Sequence, residues 1–192
     1  MAEKKKKRKG RRAYLNDFYT DVNGNMIYTG VMYRYVSEKP FNEAFLRVGL
    51  LCGAVFASVL AIACIPAPAM LGYGKPYVVL PFIFEAIGVL LTLWAAIRLR
   101  ANGPDLREYV WEATAKKLPW WLEMTAVFAA AGVIGNIVYL AIFGFEGKVF
   151  LGLLVIALHI AAAVAALLAI RALRYMTWRS GEEEKRLKAP EE

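Results

Sequence analysis

Val149-Phe-Leu-Gly-Leu-Leu-Val-Ile-Ala-Leu-His-Ile-Ala-Ala-Ala-Val-Ala-Ala-Leu-Leu-Ala-Ile170 is a run of 22 residues with a single ionisable side chain, His159. A hydrocarbon core about 30 Å thick takes roughly 20 apolar residues in helix at about 1.5 Å per residue, so this stretch predicts a membrane-spanning helix. Three further runs of similar length lack Lys, Arg and Asp: Val48 to Met70, Tyr77 to Ile97 and Trp121 to Phe143. One such helix could hide in a soluble core, but four in succession, apolar all round, leave no amphipathic layer to cover them. The predicted fold class is therefore all-α integral membrane: a four-transmembrane-helix bundle of two helical hairpins with a small cytoplasmic N-terminal β-hairpin. Composition agrees, because 59% of the 192 residues are hydrophobic, above the roughly 45–50% usual in soluble domains.

The links decide the topology. Residues 71–76 join the first two runs and residues 144–148 the last two, and such short connections make antiparallel neighbours. Of the 24 Lys and Arg residues, all but Lys75 and Lys148 fall on one side of this scheme. By the positive-inside rule both termini and the 98–120 loop are expected in the cytoplasm, with both hairpin tips outside, and a bacterial plasma membrane is the expected location. The basic N-terminal stretch is followed by mixed residues rather than a short apolar core and an Ala-x-Ala site, so no signal peptide is expected. Cys52 and Cys64 lie on one helix about 18 Å apart along its axis and cannot bond to each other.

Four regions follow. Residues 1–12 form a polybasic tail in which Lys4, Lys5, Lys6, Lys7, Arg8, Lys9, Arg11 and Arg12 are candidate binders of anionic lipid headgroups, each charge contributing about 1 kcal/mol beside an anionic leaflet. No nucleic-acid fold accompanies the tail, and nucleic acid is not the expected partner. Residues 13–43 hold two aromatic and β-branched stretches about Asn23-Gly24, which predicts a hairpin with a type I′ turn. Its aromatic face is expected to pack on the 98–120 loop and cap the chain's own bundle, or, through Tyr28, Tyr33 and Tyr35, to dock a partner. Residues 44–172 are the transmembrane domain, and within its 98–120 loop Gly103-Pro104-Asp105 predicts the start of a short interfacial helix presenting Leu106, Tyr109, Val110 and Ala113 on one face. Trp120 and Trp121 mark re-entry at headgroup level. Residues 173–192 form a charged extension expected to continue the fourth helix, supported by Glu182 with Arg186 and Glu184 with Lys188.

Polar groups at membrane depth are costly, about 2.5–3.5 kcal/mol for an acid on insertion scales, and are functional candidates for that reason. Glu85, Asn136 and His159 fall at similar depths on the second, third and fourth runs. If their faces converge, Glu85 accepts from His159 or Asn136, and burial favours either a neutral Glu or a Glu–His ion pair. Such a cluster can serve as interhelical glue, as a contact to a partner's membrane helix, or as a proton relay. Small residues recur every four positions at Gly49, Gly53, Ala57 and Ala61 on the first run and at Ala157, Ala161, Ala165 and Ala169 on the fourth, with Gly132 and Gly135 on the third. These are expected to pack helices closely, inside the bundle or against another membrane protein. Pro81 sits one turn into the second helix, where it is tolerated if a neighbour satisfies the carbonyl it frees. Ala95 to Arg100 and Leu168 to Arg174 are faintly alike, a likeness that apolar helices ending in basic residues reach by chance more readily than by duplication of one helical hairpin.

No phosphate-binding loop, HExxH, GxSxG or Cys/His cluster occurs, and one histidine restricts acid–base and metal chemistry. No catalytic residue, metal site or cofactor is expected. The expected function is that of a non-catalytic accessory or scaffold subunit in a membrane assembly, with a membrane-protein partner or a second copy of itself. The alternative is a small oligomeric proton-coupled carrier working through Glu85 and His159.

Overall fold

The computed structural model describes residues 17–21, 23–66, 70 and 72–181. The polybasic residues Lys4 to Arg12, together with Tyr14, Pro68 and the pairs Glu182 with Arg186 and Glu184 with Lys188, lie outside the described residues. In chain order the elements are β1 (Phe18–Thr20), β2 (Met26–Tyr28), β3 (Met32–Tyr35), α1 (Phe41–Ala63), α2 (Pro76–Asn102), β4 (Asp105–Arg107), α3 (Glu108–Ala113), α4 (Leu118–Phe143), α5 (Val149–Leu173) and β5 (Trp178–Ser180). Helices α1, α2, α4 and α5 are long and apolar enough to cross a membrane. Their outward faces carry exposed Leu50, Leu90, Val127, Ile134, Ile142, Phe150 and Leu167, a continuous apolar exterior that suits lipid rather than water.

Helix boundaries follow local chemistry. Helix α1 begins seven residues before the apolar run because its first turns are amphipathic: Phe41 and Val48 are buried while Asn42, Glu43 and Arg47 are exposed. It ends before Pro66, which disfavours helical conformation at the preceding residue. Pro76 and Pro119 occupy the first turns of α2 and α4, where a missing N–H leaves no bond unmade. Gly103 at φ 73° and Gly144 at φ 71° close the same two helices.

The helices pack as a four-cornered ring in the order α1, α2, α4, α5. Thus α1 lies across one diagonal from α4, and α2 across the other from α5. The inner face of α1 is Val48, Cys52, Val55, Val59 and Ile62, so of the two roles expected for its small-residue stripe, packing inside the bundle is not the one seen. Gly53, Ala57 and Ala61 point outward, Gly49 is only half-buried beside Phe45, and a side chain at 53 would meet open space. On α5, Ala157 and Ala161 are exposed whereas Ala165 and Ala169 are buried. The reason is geometric: a step of four residues overshoots a turn of about 3.6, so a four-residue stripe rotates by about 40° per step and drifts from outside to inside. Small residues that do face the bundle interior include Gly88 on α2, Gly132 and Gly135 on α4, and Ala162, Ala165, Ala166 and Ala169 on α5.

All strands lie at one end of the bundle. β1 and β2 pair antiparallel with Phe18 opposite Tyr28 and Thr20 opposite Met26. The turn is not the two-residue type I′: with Thr20 opposite Met26 the register leaves an odd-numbered loop, Gly24 has φ 82°, and its N–H donates to Asp21 O at 2.9 Å, the pattern of a longer loop with glycine in the left-handed position. The second stretch of the expected hairpin is divided. β3 leaves β2 and becomes the centre of a second sheet in the order β4-β3-β5, with Tyr33 opposite Leu106 and Ser180, and Arg34 opposite Asp105 and Arg179.

Two other expectations change with it. Asp105–Arg107 is a strand rather than a helix start, because β3 satisfies its backbone groups, and α3 begins only at Glu108. Helix α5 stops at Leu173 instead of continuing, because Trp178 gains edge-on contacts with Tyr35 and Phe41 at 5.3 and 5.9 Å, each worth about 0.5–1.5 kcal/mol beyond area burial. Of the two roles expected of these rings, packing on the 98–120 loop and the bundle is the one seen, and the three offered for docking are engaged within the chain. Tyr33 stacks on Trp111 at 4.1 Å and 1°, Tyr35 meets Phe41 at 5.6 Å, and Tyr28 meets Phe18 at 5.3 Å and Tyr109 at 6.2 Å. Among the described residues at this end, Tyr19, Met26, Ile27, Met32, Val36 and Tyr175 remain exposed.

Candidate functional site

Glu85 lies on the inner face of α2 with Val78, Gly88, Val89 and Thr92, all buried. His159 lies on the inner face of α5 with Gly152, Val155, Ala162 and Ala166. Because these helices face each other across the ring, the two side chains meet in its centre: Glu85 Oε2 is 2.7 Å from His159 Nδ1, and both side chains are 0% exposed. Glycine makes this possible. The imidazole lies against Gly132, where a Cβ would stand 2.8 Å from His159 Cε1, and a Cβ at Gly88 would stand 2.6 Å from Thr125 Oγ1. Phe82 closes one side, edge-on to the imidazole at 6.4 Å.

The contact is close but incompletely directed. Glu85 Oε2 and His159 Nδ1 approach without the alignment of a hydrogen bond, and Glu85 Oε1, His159 Nε2 and Thr92 Oγ1 are buried without a partner. One proton shared by the pair makes it neutral overall, on whichever group that proton sits, whereas no proton or two leave a net charge inside an apolar bundle. The arrangement can therefore lock α2 to α5, or bind and release a proton.

Asn136 is buried at the same level but does not join the pair. Its Nδ2 donates to Gly132 O at 2.8 Å, one turn back on its own helix, an acceptor always within reach of such a side chain. This corrects the expectation that all three polar groups converge. The carbonyl freed by Pro81 belongs to Tyr77, and Gly135 of α4 presses on it so closely that any Cβ would collide. A Cα–H contact of this kind partly compensates the absent N–H, and only glycine permits it.

Thr92 and Thr125 escaped notice in the sequence, although Thr92 follows Glu85 by seven residues, two helical turns, and so shares its face. Thr125 Oγ1 donates to Trp121 O at 2.9 Å. Among the described residues no group of three or more His, Cys, Asp or Glu could hold a metal ion. No family, no curated protein and no solved structure matches the chain.

Proposed function

We propose that the chain is a non-catalytic four-span membrane protein that serves as an accessory or scaffold subunit of a larger membrane assembly. In this reading the sheet, α3 and both termini face the cytoplasm, supported by the location of all basic residues except Lys75 and Lys148 on that side. The observation that carries it is the outward stripe on α1. Gly53, Ala57 and Ala61 are exposed while Val, Cys and Ile residues fill the opposite, inner face, and small residues on a lipid-facing surface allow another helix's backbone to approach. The test is co-purification in mild detergent followed by mass spectrometry of wild type and of Gly53→Leu with Ala57→Leu. A stoichiometric membrane partner, lost in the double variant, is the expected result. A monodisperse monomer from both preparations overturns the proposal.

A second reading, a proton-coupled carrier, is favoured by the unpartnered Glu85 Oε1 and His159 Nε2. It requires Glu85→Gln and His159→Ala to abolish flux while abundance and complex formation stay intact.

A further inference from the structure

The α2–α4 seam opens sideways into a groove of about 580 Å³ walled by Pro76, Leu80 and Pro81 on one side and Ala131, Ile134 and Val138 on the other. Every wall is apolar. Neither Glu85 nor His159 lines the groove, which follows from two features already described: Pro81 in the first turns of α2, and the close approach of the two backbones at Gly135.

Its depth is informative. The centre of the Trp121–Phe143 run falls near Gly132, so the wall from Ala131 to Val138 begins at the midplane and rises about 10 Å, most of one leaflet's roughly 15 Å. Lys75 immediately precedes the groove in the chain, and its ammonium lies 4.9 Å from the centroid of the Phe143 ring. Phe143 is five residues, about 7.5 Å, beyond Val138, which places the Lys75 charge at headgroup level. An apolar slot spanning most of one leaflet, with a cation above its open end, complements an acyl chain below an anionic phosphate. We propose that this groove holds one acyl chain of a membrane phospholipid whose phosphate is bound by Lys75. The inference rests on the membrane-spanning reading above and adds a ligand to it.

The test is native mass spectrometry of the full chain, delipidated in detergent and titrated with phosphatidylglycerol. Wild type should retain one phospholipid per chain. Ala131→Phe and Leu80→Trp, which fill the groove from opposite walls, should abolish retention, so that the misfolding of one variant does not decide the matter. Ala130→Phe, on an exposed position outside the groove, should leave retention unchanged, and Lys75→Gln should weaken it about fivefold, the worth of one basic charge near a phosphate. Diacylglycerol with the same chains should bind wild type about fivefold more weakly and be indifferent to Lys75→Gln. Retention undiminished in both groove-filling variants overturns the proposal. So does an equal loss in Ala130→Phe, or cross-linking of a photoreactive residue at 131 to another polypeptide instead of lipid. Solubility of the chain without detergent is a different outcome, and overturns the membrane reading itself.

Discussion

Removing either member of the Glu85–His159 pair should cost more than removing both, most clearly for His159. The pair is sealed, with no exposed area on either side chain, so His159→Leu leaves a carboxyl in an apolar core with nothing to meet. Insertion scales put a lone acid at the centre of a membrane helix at about 2.5–3.5 kcal/mol, and breaking a buried pair in proteins generally costs about 3–5 kcal/mol. We expect a loss of about 3 kcal/mol. Glu85→Leu leaves an imidazole that can remain uncharged, so its cost should be the smaller one of an unsatisfied polar group, about 1–3 kcal/mol. The double variant replaces both groups by apolar ones and should return to within about 1 kcal/mol of wild type. The assay is a double-mutant cycle on unfolding in micelles, with fluorescence-detected size exclusion to confirm that each variant is folded. Polar contacts between membrane helices often couple by only about 0.6 kcal/mol, because the unfolded chain finds other partners. A coupling below about 0.5 kcal/mol, or a double variant less stable than either single one, would refute the reasoning.

Other expectations are simpler. Gly132→Ala places a methyl against the His159 ring and should destabilise by about 1–3 kcal/mol, with the loss much reduced in a His159→Leu background. Gly135→Ala should be worse tolerated than Gly132→Ala, because its obstacle is the Tyr77 backbone carbonyl rather than a side chain; relative thermal stability decides the order. Single cysteines replacing Lys75 or Lys148 should react with an impermeant reagent from outside intact cells, and reaction only after lysis would invert the topology. Burial holds the Tyr28 hydroxyl above its ordinary value of 10.0, so the folded state keeps this proton longer than the unfolded one. Its contribution is complete below pH 10 and lost as the pH rises through the folded value, and Tyr28→Phe should lessen alkaline loss of the hairpin's protection from hydrogen exchange.

The four long helices were legible because hydrocarbon length is a one-dimensional constraint that a run of apolar residues either meets or fails. Glu85 and His159 stood out for the same reason, as exceptions to that rule. Which groups meet was harder to read, because it depends on helix rotation: Asn136 had the right depth but its own backbone in reach, and the every-four stripes of alanine and glycine drift off the face they were assigned to. The second sheet was hidden by brevity. Asp105–Arg107 and Trp178–Ser180 are three residues each, too short for alternation to register, and their partner β3 is distant in sequence. The hint was Trp178, a large aromatic just past a membrane helix with its partners Tyr35 and Phe41 in another segment.

That sheet has a temporal side. β3 leaves synthesis before any of the long helices, β4 only after two of them, and β5 after all four, so the strand order records how much of the chain has been made. The central strand stays half-matched until the last hairpin is in place, and until then Tyr35 and Phe41 have each other but not Trp178. A chain stopped short of Trp178 lacks both the ring contacts that cover Tyr35 and Phe41 and one whole edge of the sheet.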